Sequence, residues 1–168
     1  NLGIQINTEN PSKVGQDRLI NAAAAYQQYK TSMVIVDCGT ATTLDVVTAE
    51  GVFLGGVICP GLLISAEELF SKAAQLFQVN LEMPKKLIGK NTTESLKSGL
   101  IYGYGGMIES LINKLTKEIN QQNQPDPTVV ITGGLAAKIL PIVPKAIYHE
   151  DLTLRGLYLC YSMNITRK

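Results

Sequence analysis

Asp37 is the residue around which chemistry can be assembled in this sequence. It follows the apolar run at residues 33–36, which reads as a buried strand, and it falls where that strand should end. Gly39, Thr40, Ala41, Thr42 and Thr43 come next, offering hydroxyls and little bulk. Residues 44–47 and 52–59 read as two further strands, turned at Glu50 and Gly51. A hairpin of this kind puts one carboxylate, several hydroxyls and a glycine-loosened backbone at one end of a sheet. Backbone amides and hydroxyls can hold the oxygens of a polyphosphate, and a carboxylate can hold the accompanying cation. The same residues also suit a plain β-hairpin with a polar turn.

Two other places carry the residue types for anion chemistry. Gly15, Gln16, Asp17 and Arg18 precede an Ala- and Leu-rich stretch with helical spacing, so a helix is expected over residues 17–29. Asp17 is placed to cap that helix. With Gly15 before it and Arg18 after it, it also forms a tight turn that presents an acid and a fork-shaped cation at a helix N-terminus, a suitable place for a small anionic ligand. Thr132, Gly133 and Gly134 end an apolar strand at residues 129–131, just before a helix expected at 135–140. The glycines let backbone approach a ligand and the helix end favours negative charge, although many strand-to-helix turns share this composition.

The elements that must position these groups follow from the pattern of apolar residues. Residues 1–12 read as an extended loop. A helix is expected at 62–77 with Leu62, Leu63, Leu69, Phe70, Ala73 and Phe77 facing inward. A longer one is expected at 93–120, capped from Thr92, Glu94 or Ser95, with a stripe of Leu96, Leu100, Met107, Leu111, Leu115 and Ile119. Gly99, Gly103 and Gly106 lie on one side of it, where each costs about 1 kcal/mol relative to Ala, so close approach of another backbone is expected there, either within the chain or from a partner. A short strand at 146–148 and a closing helix at 152–163 complete the order, with His149 expected as a surface loop residue without a catalytic role.

Composition narrows the class. The 168 residues are 45% hydrophobic and 17% charged, enough for one good core, and the net charge of +1 gives no nucleic-acid or anionic-membrane surface. The apolar stretch at 54–66 is broken by Gly and Pro and is too short to span a bilayer. Three cysteines without a C-x-x-C pairing fit reduced thiols in a cytoplasmic protein, and no leader peptide is visible. Neither G-x-G-x-x-G nor G-x-x-x-x-G-K-[ST] occurs, which argues against Rossmann and P-loop readings. The expected fold class is α/β, a three-stranded meander followed by alternating helices and strands in a mixed sheet.

That order resembles the half-domain of the acetate/sugar kinase, Hsp70 and actin superfamily, a ribonuclease H-like (actin-like ATPase) fold. The motifs narrow the resemblance: Gly15-Gln16-Asp17-Arg18 with Asn21-Ala22, then Asp37-Cys38-Gly39-Thr40-Ala41-Thr42-Thr43, then Gly55-Gly56-Val57-Ile58-Cys59-Pro60-Gly61, then Thr132-Gly133-Gly134. In this order, over residues 11–163, they are similar to type III pantothenate kinase. The resemblance implies ATP-dependent phosphorylation of pantothenate to 4'-phosphopantothenate, the first step of coenzyme A biosynthesis. It implies Asp17 as the proton acceptor and Gly15, Gln16, Asp17, Arg18 and Thr92 as pantothenate-binding residues. ATP would be held at Gly39, Thr40, Gly133 and Gly134, with Mg2+ as cofactor and a monovalent cation, K+ or NH4+, on Asp37. A cytoplasmic homodimer whose pocket draws on both subunits is implied as well, with no nucleic-acid or membrane partner. Residues 1–30 would be the tail of a first actin-like domain and residues 31–168 the second. The family's leading strand with its D-x-G-N-[TS] phosphate motif has no counterpart here, so the chain is expected to be an N-terminally truncated piece, inactive alone. Another small-molecule kinase of the superfamily and a non-enzymatic nucleotide-binding regulator are the alternative readings.

Overall fold

The computed structural model describes residues 2–120 and 125–165. The elements in chain order are β1 (Gln5–Ile6), α1 (Gln16–Tyr29), β2 (Met33–Cys38), β3 (Ala41–Val47), β4 (Val52–Pro60), α2 (Leu62–Lys72), α3 (Thr92–Ile119), β5 (Thr128–Thr132), α4 (Ala136–Ile139), β6 (Ile147–Tyr148) and α5 (Leu152–Ile165). They build a six-stranded mixed sheet in the order β1-β4-β3-β2-β5-β6. β2, β3 and β4 form the expected antiparallel meander, and β5 joins β2 in parallel.

β2 is central because both of its faces are apolar. Val34, Val36 and Cys38 enter one core with α3 and α4, whereas Met33 and Ile35 enter a second core with α1 and α5. Alternation along the strand therefore sends Asp37 to the α1 face. α1 and α5 approach closely at Gly156, where a Cβ would lie 2.4 Å from Ile20 Cγ2. The molecule is thus a helix–sheet–helix sandwich in which β2, at the centre of the sheet, is buried on both faces.

Several expectations need correction. Residues 5–6 are not loop; they form a short strand parallel to β4. β2 runs two residues further than the apolar run, because Asp37 and Cys38 still pair with Thr43 and Thr42. α2 ends at Lys72 rather than near residue 77, and it buries only Leu62 and Ala66. On α2 Leu63 and Leu69 remain exposed at 48% and 39%, and Phe77, beyond the end of the helix, is exposed at 51%. The cap of α3 is Asn91, whose extended backbone lets its side chain accept from Glu94 N at 2.9 Å. Of the expected stripe Leu96 is buried, together with Ile101, Tyr104, Ile108 and Ile112, whereas Leu100, Met107, Leu111, Leu115 and Ile119 pack at the margin. Gly99, Gly103 and Gly106 meet no other backbone among the described residues, since a Cβ on any of them would have open space around it. His149 is not on the surface: it is 9% exposed, because β5–β6 pairing carries it under the end of α1 beside Tyr29.

Candidate functional site

The site lies where the carboxyl ends of β2 and β5 meet the N-terminus of α1, the end of an α/β sheet at which ligands are generally bound. Helical spacing distributes the residues of α1. Arg18 and Asn21, three apart, share the face turned to the sheet, while Asp17 is exposed at the first turn. Gly15 is the N-cap and contributes no side-chain bond, so Asp17 caps nothing beyond its own neighbour: its Oδ1 accepts from Arg18 N at 2.9 Å.

Asn21 Nδ2 donates to Asp37 Oδ2 at 2.9 Å. Burial pushes the Asp37 carboxyl up from the ordinary value; the Asn21 bond opposes this, and the negative charges of Asp17 and Asp45 add to it. Three carboxylates therefore feel one another at this end of the sheet. They do not form a metal cage, for no group of three or more His, Cys, Asp or Glu converges on a point among the described residues. A half-buried carboxylate is a hard oxygen ligand, unlike the thiolate and imidazole groups that favour transition metals.

The two phosphate-friendly turns are brought to Asp37. Gly133 adopts φ +97°, and a Cβ there would fall 2.6 Å from Asp37 Oδ1 and 2.7 Å from Cys38 N. Only glycine lets this loop lie so close. Leu135 N donates to Cys38 O at 3.2 Å, tying the β5–α4 turn to the end of β2. On the other side the Gly39–Thr40 turn packs on Gly61, where a Cβ would lie 2.2 Å from Thr40 O. Thr40 itself is exposed, as a ligand-facing hydroxyl must be.

Arg18 is engaged within the chain. Its Nε and Nη2 donate to Asp45 Oδ1 at 2.9 Å and 2.5 Å, and Thr43 Oγ1 donates to Asp45 Oδ2 at 3.2 Å. Burial pushes the Asp45 carboxyl up, and the Arg18 guanidinium pulls it back. On the opposite face Tyr104 from α3 bonds Thr42 directly behind the Gly39–Thr40 turn, and burial beside Asp37 pushes the Cys38 thiol up to about 12.

The structure thus gathers Gly15, Gln16, Asp17, Arg18, Asp37, Gly39, Thr40, Gly133 and Gly134 at one sheet end. It does not bring Thr92 to them. Thr92 opens α3, which packs on the face opposite α1. Sequence reasoning missed Asp45 and Thr153, which bonds Asn21 from α5. Asp45 left a trace, an acid inside an apolar strand; Thr153 left none. A concavity of about 510 Å³ between α3 and the β5–β6 edge, lined by Glu109, Asn113, Asp126 and Lys145 among others, contains none of the gathered residues. Gly15, Gln16, Asp17 and Thr40 are among the gathered residues that are exposed.

Known proteins resemble this chain in sequence and in fold. A family model described as type III pantothenate kinase matches residues 1–114. A type III pantothenate kinase of Streptomyces coelicolor is 44% identical over 166 residues, covering 98% of this chain. The chain spans 62% of the length of that relative. The crystal structure of a Campylobacter jejuni protein, described as a Baf family transcriptional activator, superposes with a TM-score of 0.63 at 23% identity, covering 97% of this chain and 70% of that one.

Proposed function

The chain belongs to the type III pantothenate kinase family, and on that premise we propose that its site serves the transfer of the ATP γ-phosphoryl group to the primary hydroxyl of pantothenate. The observation that carries the reading is the convergence of Asp17, Asp37 and the two glycine turns at one end of the sheet. Phosphoryl transfer needs in-line positioning and neutralised oxygen charge more than covalent help. The turns at Gly39–Thr40 and Gly133–Gly134 would give backbone amides to the phosphates, with the Thr40 hydroxyl beside them. Asp37 would hold K+ or NH4+, whose charge offsets that of the phosphate oxygens. Mg2+ would be carried mainly by the phosphates, in keeping with the lack of a carboxylate cage among the described residues.

Asp17 would take the hydroxyl proton as the new P–O bond forms. Exposure at the first turn of α1, with only Oδ1 bonded to Arg18 N, would leave the carboxylate accessible to a substrate hydroxyl. Gly15, Gln16 and Arg18 would frame pantothenate, the helix N-terminus attracting its carboxylate. Arg18, held by Asp45, would act here chiefly through its backbone and its remaining N–H groups. Thr92 would complete the pocket from the other subunit of a homodimer. Two features support that reading: α3 lies on the wrong face to reach Asp17 within one chain, and the Gly99–Gly103–Gly106 side is open. The strand order, with β4-β3-β2-β5-β6 at its heart, supports a ribonuclease H-like (actin-like ATPase) fold. We place residues 31–168 in the second domain of that fold and residues 1–30 at the end of the first. No described helix is long and apolar enough to cross a membrane. The family's role in coenzyme biosynthesis is what supports assigning the protein to the cytoplasm.

Calorimetric titration of the full-length protein with pantothenate tests the assignment. Saturable binding that weakens at least tenfold in Asp17→Ala is expected. Absence of pantothenate binding, with ATP binding retained, would move the site to a different acceptor alcohol.

A further inference from the structure

The carboxylate at the end of β2 is oriented by a chain of hydrogen bonds that begins in the last helix. Thr153, the second residue of α5, donates from Oγ1 to Asn21 Oδ1 at 2.8 Å, and Asn21 Nδ2 donates to Asp37 Oδ2 at 2.9 Å. Asn21 is only 1% exposed, so solvent does not supply these bonds. The two ends of an amide have nearly the same shape, and shape alone does not decide which end faces Asp37. A half-turn of the amide would set Oδ1 against a carboxylate that only accepts. The carboxylate thus selects the NH2 end, and the hydroxyl of Thr153, donating to Oδ1 on the far side, satisfies the buried oxygen and holds the amide in that orientation. With Oδ2 held in this way, Asp37 keeps Oδ1 beside Gly133, toward the proposed ligand space.

We propose that Thr153 is a positioning residue for Asp37, acting through the buried Asn21 amide to hold the carboxylate in the orientation that receives the monovalent cation. The proposal rests on the reading that Asp37 holds that cation. Supporting groups behind a metal-binding side chain commonly set its affinity, and a buried network of this kind is sensitive to the loss of one donor.

The test uses the full-length protein with Thr153→Val, which keeps the shape and removes the donor, and Thr153→Ser, which restores it. Pantothenate phosphorylation is followed against KCl concentration, and the Asn21 side-chain NH2 group is followed by 15N NMR. Thr153→Val is expected to raise the potassium concentration for half-maximal rate roughly three- to tenfold, the scale of one lost hydrogen bond. The half-saturating ATP concentration stays constant, and Thr153→Ser recovers wild-type potassium dependence. An unchanged potassium curve in Thr153→Val would overturn the proposal. If the wild-type rate itself ignores potassium, the cation reading fails, and the NMR signal then decides the relay. An Asn21 NH2 resonance lost in Thr153→Val and kept in Thr153→Ser upholds it; one that persists in Thr153→Val overturns it.

Discussion

At the scale of single residues, Asp45 is the most deeply buried of the three acids Asp17, Asp37 and Asp45. A carboxylate in a 2% exposed side chain is costly unless it is paired, and Arg18 supplies two donors to the same oxygen. Arg18→Met should therefore destabilise the fold by about 3 kcal/mol or more, because it leaves a buried acid without its partner. Chemical denaturation would measure this, and a loss below about 1 kcal/mol would mean that the pair contributes little. Arg18→Lys keeps the charge without the fork and should fall between the two. The positions of Asp17, Arg18 and Asp37 could be read from the sequence because each stands near the end of an element, within three residues of a glycine. The partners of Arg18 and Asn21 could not, since these bonds join residues 27 and 132 positions apart. Local pattern carries no trace of such pairings until the sheet register and the packing of α5 on α1 are known.

At the scale of elements, the β5–α4 turn is shaped by two glycines with different duties. Gly133 holds φ +97° with Asp37 Oδ1 and Cys38 in the space of a Cβ, whereas nothing lies within 4 Å of the Cβ position of Gly134. Gly133→Ala should cost roughly 1–3 kcal/mol in stability, and Gly134→Ala less than about 0.5 kcal/mol. Thermal unfolding of both variants checks the contrast; equal losses would contradict the close approach to Asp37. The sheet meander, the long α3 and the helix after Gly15 could be read from periodicity. The end of α2 could not, because Leu69, Phe70 and Phe77 continue an apolar pattern that the fold leaves partly uncovered. β1 escaped notice for the opposite reason: two residues are too few for a period, and the strand exists only because β4 offers it an edge.

For the whole molecule, Tyr29 and His149 tie the end of α1 to the strand edge, with the Tyr29 hydroxyl 2.6 Å from His149 Nε2. Burial and the nearby Arg155 hold the imidazole below its ordinary value of 6.5, and Asp151 opposes them weakly. A depressed folded-state value means that the unfolded chain binds the proton first. Stability should therefore be full above about pH 6.5 and fall as the pH drops through the folded-state value. His149→Gln should flatten that part of the profile in a melting series from pH 7.5 to 5.0, and an unchanged slope would remove His149 from the account. The central claim is that Asp17, Asp37 and the glycine turns form one kinase site. Its most direct test is transfer of labelled γ-phosphate from ATP to pantothenate by the full-length protein, in potassium and in sodium buffer, with Asp17→Asn alongside. The account predicts potassium-dependent labelling by the wild type and a loss of at least ~100-fold in Asp17→Asn, with ATP binding nearly unchanged. Label absent from pantothenate in potassium, or a variant as fast as the wild type, would contradict it.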